Sequence, residues 1–365
     1  MTLTAKQFQQ KMLAWFTSSG RKHLPWQQTK TPYPIWLSEI MLQQTQVATV
    51  IPYFERFIQH FPTLSSLAKA DIDEVVMLWS GLGYYARARN LHRCALSIEK
   101  EYLGKFPEDL SLLQNLPGIG RSTAGAILAL AFGQPAAILD GNVKRVLARF
   151  HTISGWSGSS KVSKQLWDLA EHYTPKNKHI RQYTQAMMDL GALVCTRTQP
   201  KCTECPLQSH CKAYTENSIV NYPSPKPRKT IPCRTIKMLI LVNEHQEILL
   251  EKRPPVGIWG GLWSLPECSL TENVKNFCQK HYHCEIENPK KEHPLLKHTF
   301  SHFQLEIRPV VIHVKQWHPP LMESDRIVWY NKHQLAARGL AAPVKKLLNQ
   351  LCTHSNWIFG KAPRE

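Results

Sequence analysis

The stretch that most constrains the fold covers residues 116–142, where two glycines separate two helical patterns. Pro107 can begin a helix that carries a row of leucines, and residues 124–132 form an apolar run typical of a buried second helix. Gly118 and Gly120 supply a tight turn between them, because glycine tolerates backbone angles that other residues avoid. The sequence therefore predicts a helix, a glycine turn and a second helix.

The predicted turn can bind a phosphate group. If the second helix packs its apolar face inward, the amides of Gly118, Gly120 and Arg121 point outward at a positive helix N-terminus, where an anion is stabilised. An ordinary helix-helix turn is the alternative, and so short a motif does not decide between the two. If the turn does bind phosphate, residues 116–142 contain a helix-hairpin-helix that docks on a DNA backbone.

The twenty residues after the hairpin favour the DNA interpretation. Ile138 and Leu139 are candidates for burial, and Asp140 stands before a helix with a regular apolar face, for which Asn142 is the predicted N-cap. An acid at this position faces whatever the hairpin holds. The sequence here resembles the helix-hairpin-helix DNA glycosylases, and the resemblance implies that Asp140 is their essential aspartate and Asn142 a positioning residue beside it.

Composition agrees with a polyanionic partner. The 365 residues include 45 Lys and Arg against 27 Asp and Glu, a net charge of +18. Ribosomal and membrane-surface proteins can also be basic, but 43% hydrophobic residues and 11 tryptophans predict large folded cores, and the length predicts two domains. Without an apolar run of membrane-spanning length or a signal segment, we expect no membrane contact and a cytoplasmic protein whose cysteines are thiols or metal ligands.

A second carboxylate lies on a predicted helix that begins near Ile35, after a loop marked by residues 32–34. Its apolar side chains share one face, and Glu39 lies at the border of that face. Partial burial would raise the pKa of Glu39, as a general acid needs, whereas most glutamates taken singly are simply solvated. Residues 36–47, Trp-Leu-Ser-Glu-Ile-Met-Leu-Gln-Gln-Thr-Gln-Val, resemble the corresponding helix of the adenine DNA glycosylase (MutY) family. The resemblance makes Glu39 the catalytic acid.

Residues 81–89 place a glycine turn before two tyrosines and two arginines, a combination that suits unstacked nucleic acid but also fits a core tyrosine pair. By resemblance, Tyr84 and Gln44 act as wedges that open the duplex and offset the few kcal/mol that base extrusion costs. Gln185 matches a base-contact position, although Thr184 stands where many relatives have asparagine. The complete predicted set of base contacts in this part of the chain is Trp26, Leu42, Gln44, Tyr84, Ser122 and Gln185.

Four cysteines follow with the spacing Cys-x6-Cys-x2-Cys-x5-Cys, namely Cys195, Cys202, Cys205 and Cys211. Four thiolates can hold zinc or an iron-sulfur cluster, and ligand number alone does not choose. The spacing is similar to that of the cluster loop in the endonuclease III and MutY branch. The resemblance implies one 4Fe-4S cluster as the cofactor.

Beyond the cysteines, residues 216–235 form a basic, proline-rich linker. A new domain follows, in which residues 238–242, 247–251 and 308–314 are predicted strands of an α+β fold. Residues 249–267 resemble the Nudix-like C-terminal domain of MutY proteins.

This domain lacks residues that a Nudix hydrolase needs. Gly261 and Glu267 satisfy the opening of the Nudix box, but Lys275-Asn276 replaces its Arg-Glu, and residues 277–280 contain no carboxylate for a metal ion. A loop with one buried phenylalanine is the plain interpretation of residues 298–302. By resemblance, Phe300, Ser301 and His302 in it contact 8-oxoguanine.

Together these features predict a base excision repair enzyme that hydrolyses the N-glycosidic bond of adenine mispaired with 8-oxoguanine or guanine in duplex DNA, leaving an abasic site. Glu39 would protonate the purine and later activate water, and Asp140 would stabilise the oxocarbenium ion. The alternatives are a bifunctional glycosylase-lyase of the endonuclease III type and a Nudix hydrolase or noncatalytic damage sensor. Such lyases carry a lysine in the hairpin where this chain has Ser122, so we predict a monofunctional enzyme.

The predicted architecture is a mostly α helix-hairpin-helix glycosylase core with an iron-sulfur loop, followed by an α+β Nudix-like domain, in a monomeric protein. Its parts are the glycosylase domain (1–215), the linker (216–235), the Nudix-like domain (236–351) and a tail without an assigned role (352–365).

Overall fold

The computed structural model describes residues 3–176, 178–227, 230–254, 257–288, 291–300, 302–318, 326–331 and 339–353. The chain forms two compact units. The first unit contains residues up to 70 and residues 87–228, and the second contains residues 71–86 and the chain from residue 229 onward. The predicted domain boundaries at residues 215 and 236 stay a prediction.

The first unit is helical. Its helices are α1 (Ala5–Ser19), α2 (Pro32–Leu42), α3 (Val47–His60), α4 (Leu64–Lys69), α6 (Ala86–Tyr102), α7 (Leu110–Asn115), α8 (Arg121–Ile127), α9 (Gly141–His151), α10 (Ser160–Tyr173), α11 (Ile180–Asp189) and α12 (Lys212–Thr215). Two π-helical turns extend α8 and α11, over Leu128–Phe132 and Leu190–Val194.

The core of this unit joins the N-terminal helix α1 to α10 and to α9, the helix that Asp140 precedes. Phe8 of α1 stacks on Tyr173 with a ring separation of 4.1 Å and meets Phe150 of α9 edge-on at 5.3 Å. All three side chains are buried, so a few kcal/mol of apolar burial from each fix α1 and α10 against α9.

Two local predictions were wrong. The segment 32–34 is not a loop but the first turn of α2, because a proline at that position has a helical φ and its missing N–H is not needed. The helix expected from Pro107 begins instead at Leu110, since the Asp109 carboxylate accepts hydrogen bonds from the amides of Ser111 and Leu112 and caps it.

The second unit is an α+β structure. Its strands are β1 (Cys233–Val242), β2 (Ile248–Lys252), β3 (Trp263–Ser264), β4 (Glu267–Cys268), β5 (Cys284–Ile286), β6 (Lys291–Glu292), β7 (Leu296–Thr299), β8 (Gln304–Trp317) and β9 (Ile327–Tyr330), and its helices are α5 (Ile72–Leu78), α13 (Val274–Tyr282) and α14 (Ala342–Thr353).

The three predicted strands are confirmed as β1, β2 and β8. The sheet has the order β3-β2-β1-β8-β5, with β4 beside β1, β6 and β7 beside β8, and β9 beside β2. β1 and β8 run parallel in a register that pairs Cys233 with Gln304 and Val242 with His313, and the core includes Leu239, Leu241 and Ile312.

No helix within the described ranges combines the length and the hydrophobicity that crossing a bilayer requires.

Candidate active site

Both predicted catalytic carboxylates line one cavity of about 640 Å³ in the first unit. Glu39 comes from α2, and Asp140 stands immediately before α9. Of the predicted base contacts and the positioning residue, the cavity also brings together Trp26, Leu42, Ser122, Asn142 and Gln185. Residues more than 100 positions apart therefore form one site, although their individual roles stay predictions.

Glu39 lies at the border of the core, as the helical pattern predicts. It is half-buried between the buried neighbours Ser38 and Ile40. Burial, together with the nearby charge of Asp140, raises the pKa of Glu39 to about 8. The carboxyl group is therefore largely protonated at neutral pH, which is the state that a proton donor needs.

Asp140, not Asn142, is the N-cap of α9. Asp140 Oδ1 accepts a hydrogen bond of 2.8 Å from the amide of Val143, because a cap side chain reaches the N–H three residues ahead. Asn142 lies inside the first turn, and its Nδ2 donates to Asp140 Oδ2 at 3.1 Å. Burial raises the pKa of Asp140, while these two hydrogen bonds and the charge of Arg145 oppose that rise.

Arg145, a cavity residue that the sequence interpretation missed, orients this pair. Its Nη2 donates to Asn142 Oδ1 at 2.8 Å and to the Gly191 carbonyl at 2.6 Å, and its Nε donates to the Cys195 carbonyl at 2.6 Å. Because Asn142 Oδ1 is occupied by a donor, its Nδ2 is the atom that faces Asp140. The sequence offered one signal for this contact, since Arg145 follows Asn142 by about one helical turn and so lies on the same face of α9.

Gly191 is a second missed residue. A Cβ built on it would lie 2.5 Å from Asn142 Cβ and 2.9 Å from Asn142 Cα, which are distances that side chains do not tolerate. The π-helical turn at the end of α11 thus approaches the start of α9 more closely than any other residue type would permit.

Gln185 and Ser122 are each fixed by a hydrogen bond. Gln185 Nε2 donates to Asp189 Oδ1 at 3.0 Å, and Arg21 forms an ion pair with the same carboxylate. Ser122 Oγ accepts a 2.9 Å hydrogen bond from the amide of Leu139, the residue before Asp140. Ser122 therefore holds the backbone that leads to the predicted catalytic aspartate, Asp140.

The two predicted wedge residues, Gln44 and Tyr84, share an unusual backbone conformation. Gln44, exposed in the turn between α2 and α3, has φ 58°, and Tyr84, with 58% of its surface exposed, has φ 51°. Left-handed backbone is uncommon for residues other than glycine and concentrates at functional sites. Tyr84 belongs to the second unit.

The glycine turn between α7 and α8 is formed. Gly118 has φ +80°, and a Cβ there would lie 2.9 Å from Asn90 Cβ. Gly120 is the N-cap of α8, with open space around its Cα. The Arg121 side chain turns away to pair with Glu171, and its guanidinium lies 4.0 Å from the ring centroid of Trp167. The Arg121 side chain thus lies against α10, and its backbone N–H belongs to the first turn of α8.

All four cysteines of the spaced motif line a second, apolar cavity, together with Phe150, Leu190 and Leu207 among others. Buried Arg149 donates from Nη1 to Cys195 Sγ at 3.4 Å and to the Thr196 carbonyl at 2.7 Å. Within the described residues, no three metal-binding side chains are grouped closely enough to hold a single metal ion. The donor set has the chemistry of a cubane site, since four soft sulfur ligands line one cavity beside the buried guanidinium of Arg149.

In the second unit, Phe300 anchors the loop between β7 and β8. Its ring stacks on Phe303 at 4.6 Å and contacts His298 at 4.7 Å and Trp259 at 5.3 Å. His302 lies at the other end of the loop, with its ring 4.8 Å from Phe303. Ser301 lies outside the described residues. Trp259, with φ 54°, was not predicted as part of this cluster.

Glu267, the carboxylate that matches the Nudix box, is paired within its own unit. Glu267 on β4 forms a 2.8 Å ion pair with Arg253, and nearby the hydroxyl of Tyr282 donates to Glu251 on β2. Arg253 therefore neutralises Glu267, and Glu251 has a hydrogen-bond donor in the same unit.

Comparisons with known proteins identify both parts of the chain. The HhH-GPD superfamily of base excision DNA repair proteins matches residues 37–172, and the NUDIX domain family matches residues 237–350. An adenine DNA glycosylase of Buchnera aphidicola subsp. Acyrthosiphon pisum is 41% identical over 93% of this chain and 96% of its own length. The adenine DNA glycosylase of Homo sapiens is 32% identical over 93% of this chain and 73% of its own length.

A solved thermostable thymine-DNA glycosylase superimposes with a TM-score of 0.51 and 29% identity, over 58% of this chain and 97% of that protein. The fold class and the family resemblance predicted from the motifs are thus confirmed. The chain belongs to the family of adenine DNA glycosylases, enzymes of base excision DNA repair.

Proposed function

We propose that this glycosylase removes adenine mispaired with 8-oxoguanine or guanine in duplex DNA and leaves an abasic site. The supporting observation is that one cavity holds two carboxyl groups that differ in their hydrogen bonds. Burial raises the pKa of both groups, that of Glu39 to about 8, but Asp140 also accepts two hydrogen bonds that favour its ionised form. Such a pair can supply a proton and a negative charge at the same pH.

The reaction begins with protonation of the base. Adenine is a poor leaving group until Glu39 donates a proton, at N7 of the ring, and the departing base leaves positive charge on the sugar. The Asp140 carboxylate stabilises that charge, and Asn142 fixes its orientation. Glu39, now ionised, accepts a proton from the attacking water. Gln185 uses Oε1 to accept a hydrogen bond from the adenine amino group, since its Nε2 is held by Asp189.

A gel assay on single-turnover excision tests this function. Duplexes containing A:8-oxoguanine, A:G, A:T and C:8-oxoguanine are treated with excess enzyme, with and without alkali. We expect fast excision from A:8-oxoguanine, slower excision from A:G and no strand break before alkali. Equal rates on A:T and A:8-oxoguanine would refute the proposed specificity.

We propose that the enzyme lacks efficient lyase activity, because strand cleavage by this class requires an amine that forms a Schiff base. Ser122 carries a hydroxyl, and among the described residues no lysine lines the catalytic cavity. Borohydride should trap almost no wild-type enzyme on DNA, while Ser122→Lys should gain trapping and excise more slowly, since it loses the bond to Leu139. Abundant trapping of the wild type would contradict the proposal.

We propose that Cys195, Cys202, Cys205 and Cys211 hold one 4Fe-4S cluster, which supports the loop that they form. The purified protein should be brown, with the broad visible absorption of such clusters and about four iron atoms per chain. Cys94→Ser, at a buried cysteine outside the motif, is the matched control and should keep its iron. One zinc and no iron per chain would overturn the assignment.

We propose that the second unit reads 8-oxoguanine and does not hydrolyse nucleotides. Phe300 is anchored by aromatic contacts and can present the rest of its loop, while Arg253 pairs with Glu267, the carboxylate that matches the Nudix box. Replacing Ser301 and His302 by alanine should narrow the preference for A:8-oxoguanine over A:G by about 1–3 kcal/mol, the scale of base-reading contacts.

The control for this double variant is the excision rate on A:G, which depends on Glu39 and should change little. Unchanged discrimination would sink the proposed reading role. So would magnesium-dependent hydrolysis of 8-oxo-dGTP by the full-length protein. We further propose that the enzyme acts as a monomer on DNA inside the cell, with the domain boundaries given above.

A further inference from the structure

Arg87, near the start of α6, reaches across to the end of the helix that carries Glu39. Its side chain is buried, and its Nη1 donates to the carbonyl oxygens of Ile40 at 3.0 Å, Met41 at 2.7 Å and Gln43 at 2.7 Å. Its Nη2 donates to Thr45 Oγ1 at 3.1 Å. One guanidinium therefore binds both ends of the turn that follows α2.

The turn needs such support. Carbonyl groups at a helix C-terminus have no partner within the helix, and a buried cation can satisfy several of them at once. Gln44 lies between the residues that Arg87 binds, and its φ is 58°. Residues other than glycine rarely adopt this left-handed conformation, because their Cβ comes too close to the following carbonyl oxygen. The left-handed turn persists because contacts around it determine its shape.

We propose that Arg87 is a positioning residue that fixes the turn of residues 43–45, so that Gln44 is presented to the duplex in one orientation. The inference rests on the proposed role of Gln44 in extruding adenine. Arg87 contacts neither the base nor the sugar in this assignment, and it acts through Gln44. If Arg87 only capped α2, it would have a different role. Its loss would then disturb the helix that carries Glu39 and slow excision from every substrate alike.

The two roles differ in how the defect depends on the substrate. One duplex contains A:8-oxoguanine between Watson–Crick pairs, and the other has a mismatched pair on each side, which weakens stacking of the adenine. Arg87→Met should slow single-turnover excision from the first duplex by about tenfold, because part of the extrusion cost is no longer offset. On the second duplex its rate should be close to that of wild type.

Matched variants separate this effect from others. Arg93→Met removes the same charge from an exposed position of α6 and should leave both rates unchanged. Gln44→Ala should show the same substrate dependence as Arg87→Met, and the double variant should be no slower than the worse single one. Arg87→Lys should recover part of the rate. Thr45→Val, which removes only one acceptor of Arg87, should give a smaller defect in the same direction.

Equal slowing of both duplexes by Arg87→Met would overturn the inference and indicate an effect on the fold or on Glu39. Normal behaviour of Arg87→Met beside a defective Gln44→Ala would also overturn it, while leaving the wedge role intact. A normal Gln44→Ala would instead refute the proposed role of Gln44. If Arg87→Met does not fold, Thr45→Val and Arg87→Lys are tested on the same two duplexes instead. Wild-type excision rates of both variants on both duplexes would reject the positioning role.

Discussion

Glu39→Gln should reduce single-turnover excision from A:8-oxoguanine by at least about 100-fold, while binding of the same duplex stays near the wild-type level. Glutamine keeps the size and polarity of the side chain but has no proton to transfer to adenine. The rate constant is measured by gel and the affinity by titration of a labelled duplex. Glu101→Gln, at an exposed position of α6, is the matched control and should excise normally. Near-normal excision by Glu39→Gln would remove Glu39 from the mechanism.

The pH dependence of the excision rate independently checks the assignment of Glu39 as the proton donor. Because the pKa of Glu39 is raised to about 8, its acidic form predominates below that pH and is lost above it. The excision rate of the wild type should therefore fall about tenfold per pH unit on the alkaline side. On the acid side it should fall as Asp140, whose pKa is also raised by burial, becomes protonated. The alkaline fall should be missing from the residual activity of Glu39→Gln.

Asp140→Asn should also reduce the rate by at least about 100-fold, for a different reason. The amide can still accept a hydrogen bond from Val143 and so cap α9, but it has no charge to stabilise the sugar cation. Its NH₂ group would also meet Asn142 Nδ2, which donates to Asp140 Oδ2 in the native protein. Excision is again measured under single turnover, with binding and the melting temperature as readouts of the fold.

The matched control is Asp168→Asn, at an exposed aspartate that pairs with Lys164 on α10. It should retain full activity, because a surface ion pair contributes little to stability. If Asp140→Asn excised adenine as fast as this control, the negative charge at Asp140 would have no catalytic role. A large fall in melting temperature for Asp140→Asn alone would show that the new amide disturbs the start of α9, and the lost rate would then not be assigned to charge.

Features that depend on local pattern could be predicted from the amino-acid sequence alone. Glycine spacing predicted the hairpin turn, helical periodicity placed Glu39 at the border of the core, and short strand-like apolar runs predicted the strands of the second unit. Local chemistry also misled in three places. A proline that can break a helix begins α2, the helix expected from Pro107 begins at Leu110, and the predicted N-cap of α9 lies two positions too late. In each case the error is one of position within a helical turn.

The assembly of these parts into a site depends on long-range packing. Arg145 and Gly191 set the orientation of Asn142, and Arg87 binds the end of α2 from a helix about forty residues later in the chain. The raised pKa of Glu39 comes from burial and from Asp140, which is about a hundred residues away in sequence. These effects arise from atoms that packing brings within a few ångströms, and the spacing of residues along the chain carries no record of such distances.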